Sequence, residues 1–180
     1  MREYTCAPEV EVLGGNVLGF IHNVQEDEIK PALEKMGLTE IKPEEWYPLK
    51  DWLEVLNDLN RRGNTMYNFV AVGIGIAENA PFPPEVEQMP PVAVFEMLDT
   101  VYQAHHRGGD VGKIIVEKVA DQHLKITLDG IVYPDDLEYG VAYGFAKRFL
   151  PEDSDFLVEY EEGVTRLDDD GEKTIIHISW

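Results

Sequence analysis

The 180-residue sequence predicts an α+β fold: a helical N-terminal part followed by a four-stranded, mostly antiparallel sheet in ββαββ order. Three observations predict it. Apolar residues recur at helical spacing up to the His105–His106–Arg107–Gly108–Gly109 stretch. From Lys113 the period switches to strict alternation, as in Leu124, Ile126 and Leu128 against His123, Lys125 and Thr127. Between the second and third alternating runs lies a helix with Leu137, Val141, Phe145 and Phe149 on one stripe, and Gly140 and Gly144 one turn apart beside it.

In chain order, Val10 to Leu13 reads as a short strand or extended lead-in that ends at Gly14 and Gly15. Asn16 is placed to cap a helix that carries Val17, Phe20, Ile21 and Val24. A short helix from about Pro31 to Met36 stops at Gly37, and Lys42 to Pro48 reads as a polar linker. Leu49, Trp52, Leu53, Leu56 and Leu59 have clear helical spacing, closed by Arg61, Arg62 and Gly63. Met66, Phe69, Val70, Gly73, Ile74 and Ala77 give a nearly uncharged helix, expected at the centre of the helical part. Pro81 to Pro91 is a proline-rich loop, and Val94, Phe95, Leu98, Val101 and Tyr102 form a further helix. A turn near Ala120 and Asp121 pairs the first two strands as a hairpin. Pro134, Asp135 and Asp136 start the glycine-bearing helix, which is expected to lie on the sheet because something must pack against its bare backbone. Phe156, Val158 and Tyr160, then Ile176, Ile178 and Trp180, supply the last two strands. The expectation is one domain over 1–180, with a helical subregion at about 14–109 and a sheet subregion at about 112–180.

Composition excludes several classes of function. A formal charge of −20 repels a phosphate backbone, so neither nucleic acid nor an anionic membrane is expected as a partner. Cys6 is the only cysteine, which rules out an internal disulfide or a cysteine-built zinc site and fits a reducing cytoplasm, where the chain is expected to work. Met1 to Val10 lacks the apolar run of a signal peptide, and no stretch is apolar enough to span a bilayer.

Catalytic motifs are likewise missing. Gly14, Gly15 and Gly19 mimic a nucleotide loop, but Asn16, Phe20 and Ile21 occupy the positions where glycine, lysine and a hydroxyl residue are needed. The serines are Ser154 and Ser179, neither in a nucleophile elbow, and no two of His22, His105, His106, His123 and His177 have the i, i+4 spacing of a metal pair. No catalytic and no metal-ligating residue is therefore assigned. The aromatic residues suit a small apolar ligand held between helices and sheet, with Phe69 and Phe95 as walls and the hydroxyls of Tyr102 and Tyr133 as polar handles.

The order of elements and two short stretches resemble the superfamily that joins the haem nitric oxide and oxygen binding (H-NOX) domain, the four-vinyl-reductase-type ligand domain and the TRAPP tethering subunits. In its haem-binding branch a Phe precedes Leu-Asp-x-x-His, whose His binds the iron. Here Phe95 leads to Leu98-Asp99-Thr100-Val101-Tyr102, so Tyr102 stands at the ligand position. The branch's Tyr-x-Ser-x-Arg clamp for the haem propionates is matched by Tyr133-Pro134-Asp135-Asp136-Leu137, with Asp135 for the serine and Leu137 for the arginine. The resemblance implies a non-catalytic, sensor-like or regulatory domain with an apolar pocket. The alternatives it implies are a homodimeric interaction or scaffold subunit, and a haem-binding gas sensor in which Tyr102 or His105 would meet the iron.

Overall fold

A computed structural model of the chain describes residues 2–62 and 68–180. Its first strand, β1 (Glu11–Leu13), is followed at once by α1 (Gly14–Ile21). The helix begins two residues before Asn16, with Leu13 in extended geometry at its N-cap and no side-chain cap. Helix α2 (Glu26–Met36) also starts earlier than Pro31. Its first turn holds Glu26, Asp27 and Glu28, whose charges favour the positive end of the helix dipole, and Gly37 closes it in the left-handed conformation at φ 72°.

The stretch read as a linker contributes a strand, β2 (Trp46–Pro48). It pairs antiparallel with β1, and β1 pairs on its other side with β3 (His106–Arg107), giving a second, three-stranded sheet in the order β2-β1-β3. These strands are too short for alternation to betray them. What holds them is burial of Val12 and His106, which lie opposite each other in register.

Helix α3 (Leu49–Arg61) buries Leu49, Trp52, Leu53, Leu56 and Leu59, the residues its spacing marks, and Phe20 of α1 meets the Trp52 ring edge-on at 5.2 Å. Gly63, expected to end it, and Met66, expected to open the next helix, lie outside the described residues. Helix α4 (Phe69–Asn79) is capped by the Asn68 side chain, which accepts from the Ala71 N–H at 3.2 Å. The expected single helix around Phe95 is two, α5 (Pro91–Glu96) and α6 (Leu98–Ala104), broken at Met97.

The larger sheet contains β4 (Lys113–Ala120), β5 (His123–Asp129), β6 (Leu157–Tyr160) and β7 (Lys173–Ser179), all neighbours antiparallel, in the spatial order β4-β5-β7-β6. Ile114, Leu124, Ile126, Leu128, Val158, Ile176 and Ile178 are buried and join its inner face to the core. Helix α7 (Asp135–Phe149) lies between β5 and β6 in sequence. Its glycine notch does not receive the sheet. A Cβ on Gly140 would sit 2.2 Å from the Val70 carbonyl oxygen, and one on Gly73 2.2 Å from that of Leu137, so α4 and α7 meet backbone to backbone. Arg148 of α7 reinforces this contact by donating to the Ala77 and Ala80 carbonyls, each at 2.9 Å, at the C-terminal end of α4. Among the described residues no helix is long and apolar enough to cross a membrane.

Candidate functional site

Where α6 ends and β3 begins, the chain turns two adjacent histidines to different surroundings. His105 is half-buried and its carbonyl accepts from the Leu13 N–H at 2.9 Å. His106, paired with Val12, is buried. Its Nδ1 lies 2.7 Å from the Tyr102 carbonyl and its Nε2 2.8 Å from the Tyr133 hydroxyl. A carbonyl can only accept, so Nδ1 carries the proton, and the Nε2 lone pair accepts from Tyr133. Burial holds the imidazole down to about 4, so it is neutral over the physiological range.

The two tyrosines complete the cluster. The Tyr102 hydroxyl donates to the Val111 carbonyl at 2.7 Å, and the Tyr102 and Tyr133 rings stand edge to face at 6.1 Å. Burial pushes both phenols far above their ordinary range. Every polar group of the triad except the second lone pairs has a partner, which is the condition for such a network to stabilise a core.

Glu138, in the first turn of α7, is the fourth member. Its charge is felt by both tyrosines. It keeps some accessible surface, yet protein encloses it densely enough to push its carboxyl up to about 7, with the nearby Asp135 carboxylate adding to the effect. No protein group among the described residues hydrogen-bonds that carboxyl. Sequence reading missed Glu138 because an acid in a first helical turn is normal dipole chemistry.

Of the residues expected to line a pocket, Tyr102 and Tyr133 come together; Phe95 packs on Phe145 at 6.0 Å and Phe69 on Phe20 at 6.2 Å. Two open clefts lie at the surface, one lined by Asp110, Gly112, Lys113, Asp129 and Gly130 and the other by Arg2, Glu3, Asn57, Asn60 and Arg61, and neither is lined by Tyr102, Tyr133, Phe95 or Phe69.

These residues do not fit a haem. An iron-bound tyrosine is a phenolate, but the Tyr102 hydroxyl keeps its proton to donate to Val111, and burial opposes ionisation. The inward lone pair of His106 is already taken by Tyr133. Asp135, at the clamp position, is buried and accepts from the Asp168 N–H at 2.8 Å and the Thr174 hydroxyl at 2.7 Å. Asp168 returns the contact by accepting from the Asp135 N–H at 2.9 Å, and its own carboxyl is pushed up to about 6, chiefly by burial and then by Asp135. Arg2, 3.6 Å from Asp168, offsets part of that charge, but Asp135 itself stands where the clamp has its serine, and the buried Leu137, where it has its arginine, offers propionates no donor.

No protein-family profile and no curated protein matches the sequence. Solved structures do. A point variant of the Tt H-NOX domain superposes with a TM-score of 0.68 at 18% identity, covering 93% of this chain and 94% of that one. A Cs H-NOX variant carrying 4-cyano-L-phenylalanine gives 0.67 at 18% identity, with 93% and 95% covered. An oxygen-binding H-NOX domain related to soluble guanylate cyclases, in its oxygen complex, gives 0.65 at 18% identity, with 92% and 91% covered. Over nearly its whole length the chain therefore has the H-NOX fold.

Proposed function

We propose that the chain is a non-catalytic, cytoplasmic sensor domain on the H-NOX fold that works without haem, and that it reads a small molecule at Glu138 beside Tyr102 and Tyr133. The observation that carries this reading is the half-buried Glu138 carboxyl, which accepts no protein hydrogen bond among the described residues and lies in the first turn of α7 near a hydrogen-bonded aromatic cluster. A compact apolar body bearing one hydrogen-bond donor or positive group matches that chemistry, since it would make up for the partial desolvation of a half-buried acid. The wider kinship with the four-vinyl-reductase-type and TRAPP branches belongs to this proposal and rests on the order of elements together with the two short stretches.

The test uses a panel of small alkyl and aryl amines beside their neutral isosteres, read by thermal shift and native mass spectrometry. The proposal expects an amine that stabilises the wild type and loses that shift with Glu138→Gln. A shift that survives the substitution, or none across the panel, contradicts it.

The same residue gives a pH prediction. In the folded chain Glu138 titrates at about 7 against an ordinary 4.5, so between those values the native state holds a proton that the unfolded chain has released. Its contribution to stability is full below pH 4.5 and is lost as pH rises through 7. His106 slopes the other way, because its depressed value makes the unfolded chain bind the extra proton between about 4 and 6.5. Asp168 runs parallel to Glu138 at lower pH. Urea denaturation of wild type against Glu138→Gln at each pH cancels both. The variant is expected to gain, relative to wild type, up to about 3 kcal/mol between pH 4 and 8.

A haem-bearing gas sensor is the second reading, favoured by the fold shared with an oxygen-binding H-NOX domain. The donor set around Tyr102, His106 and Asp135 stands against it.

A further inference from the structure

The outer face of the larger sheet carries a second polar cluster, separate from the first. Along β5 and β7, Leu124, Ile126, Ile176 and Ile178 face the core, so His123, Lys125 and His177 face outward. His177 is in register with Lys125 on one side and Glu159 on the other, and His123 pairs with Ser179, which makes the two histidines diagonal neighbours across the β5–β7 ladder. His123 Nε2 lies 2.8 Å from His177 Nδ1, and His177 Nε2 lies 3.2 Å from a Glu161 carboxylate oxygen. Lys125, the nearest cation, is drawn to the opposite side by its ion pair with Glu117.

We propose that His123 and His177 form a surface binding site for a borderline transition-metal cation such as Zn²⁺, Ni²⁺ or Cu²⁺. In the neutral pair the carboxylate can only accept, so His177 donates Nε2–H to Glu161 and presents its Nδ1 lone pair toward His123. A carboxylate that orients one ring nitrogen while the other is left free to coordinate is the recurring support of a metal-bound histidine. Two nitrogens on one tetrahedral zinc, at about 2.0–2.1 Å each, stand roughly 3.3 Å apart. The separation of 2.8 Å therefore needs to open by about half an ångström, within the reach of small χ rotations of two partly exposed rings. Binding replaces the N–H···N bond with two N–metal bonds, and His123 moves its proton to Nδ1 through solvent. Among the described residues no third His, Cys, Asp or Glu is already placed as a ligand. Water completes the sphere, and Glu159, opposite His177 on the same face, adds attraction for the cation.

Calorimetric titration of the whole chain with Zn²⁺ tests the site, followed by ¹⁵N NMR of the imidazole rings. One zinc per chain is expected, with shifts confined to His123 and His177. His123→Ala and His177→Ala should each weaken binding tenfold or more, Glu161→Gln severalfold, and His22→Ala, at an exposed position elsewhere, not at all. Excess Mg²⁺ or Ca²⁺ should not compete, because nitrogen donors do not select them. Competition by those ions, binding that survives both alanine variants, or no binding at millimolar zinc would overturn the proposal. The first outcome would assign the ion to the general field of the acidic surface.

Discussion

Gly140→Ala and Gly73→Ala are each expected to destabilise the protein by about 3 kcal/mol, although alanine is the better helix former by about 1 kcal/mol. The added methyl of either would meet backbone: the Val70 carbonyl oxygen at 2.2 Å and Cα at 2.9 Å for Gly140, the Leu137 carbonyl oxygen at 2.2 Å and the Val141 nitrogen at 2.7 Å for Gly73. Backbone cannot rotate away as a side chain can, so α4 and α7 must separate along their contact. For a chain of this size the loss is a fall in Tm of roughly 6–12 °C. Gly19→Ala in α1 is the control, because nothing lies within 4 Å of its added Cβ. There propensity acts alone, and a gain of up to about 1 kcal/mol is expected. Urea denaturation of the three variants decides it, and equal effects at all three positions would contradict the close helix contact.

The second large effect belongs to the buried triad. Tyr133→Phe removes the hydroxyl that donates to His106 Nε2 and leaves a buried acceptor unpaired, at a cost of about 1–3 kcal/mol. His106→Phe strands the Tyr133 hydroxyl, while the Tyr102 carbonyl keeps the His105 N–H at 3.2 Å, and it costs about as much. If the three side chains act as one unit, the double variant costs less than the sum of the two, with a coupling of about 0.5–3 kcal/mol. Strict additivity would show that the hydrogen bond between them contributes nothing to the folded state.

How far these features could be read from the chain itself depended on the range of the interactions behind them. Leu49 to Leu59 carried its own evidence, because helical spacing is a local pattern and α3 buries the residues that follow it. Gly140 and Gly144 announced that something approaches α7, but its identity is a long-range fact: α4, some seventy residues earlier, occupies the notch that was expected to hold the sheet. The three-residue strands β1 and β2 are too short to show a period, so the smaller sheet went unseen. For the histidines a clue was present. Neighbours at His105 and His106 cannot face the same way, so one of them had to point inward, but only the pairing of His106 with Val12 shows which. His123 and His177 are fifty-four residues apart, and no spacing rule joins them.

In this H-NOX fold Tyr102, His106 and Tyr133 hydrogen-bond within the protein and leave no donor free for a haem iron. A titration of the purified chain with haemin under reducing conditions, followed by absorption spectroscopy and thermal denaturation, addresses this most directly. The account predicts the spectrum of free haem, with no Soret band of a ligated iron and no rise in Tm. A saturable Soret band at one haem per chain, accompanied by thermal stabilisation, would contradict it.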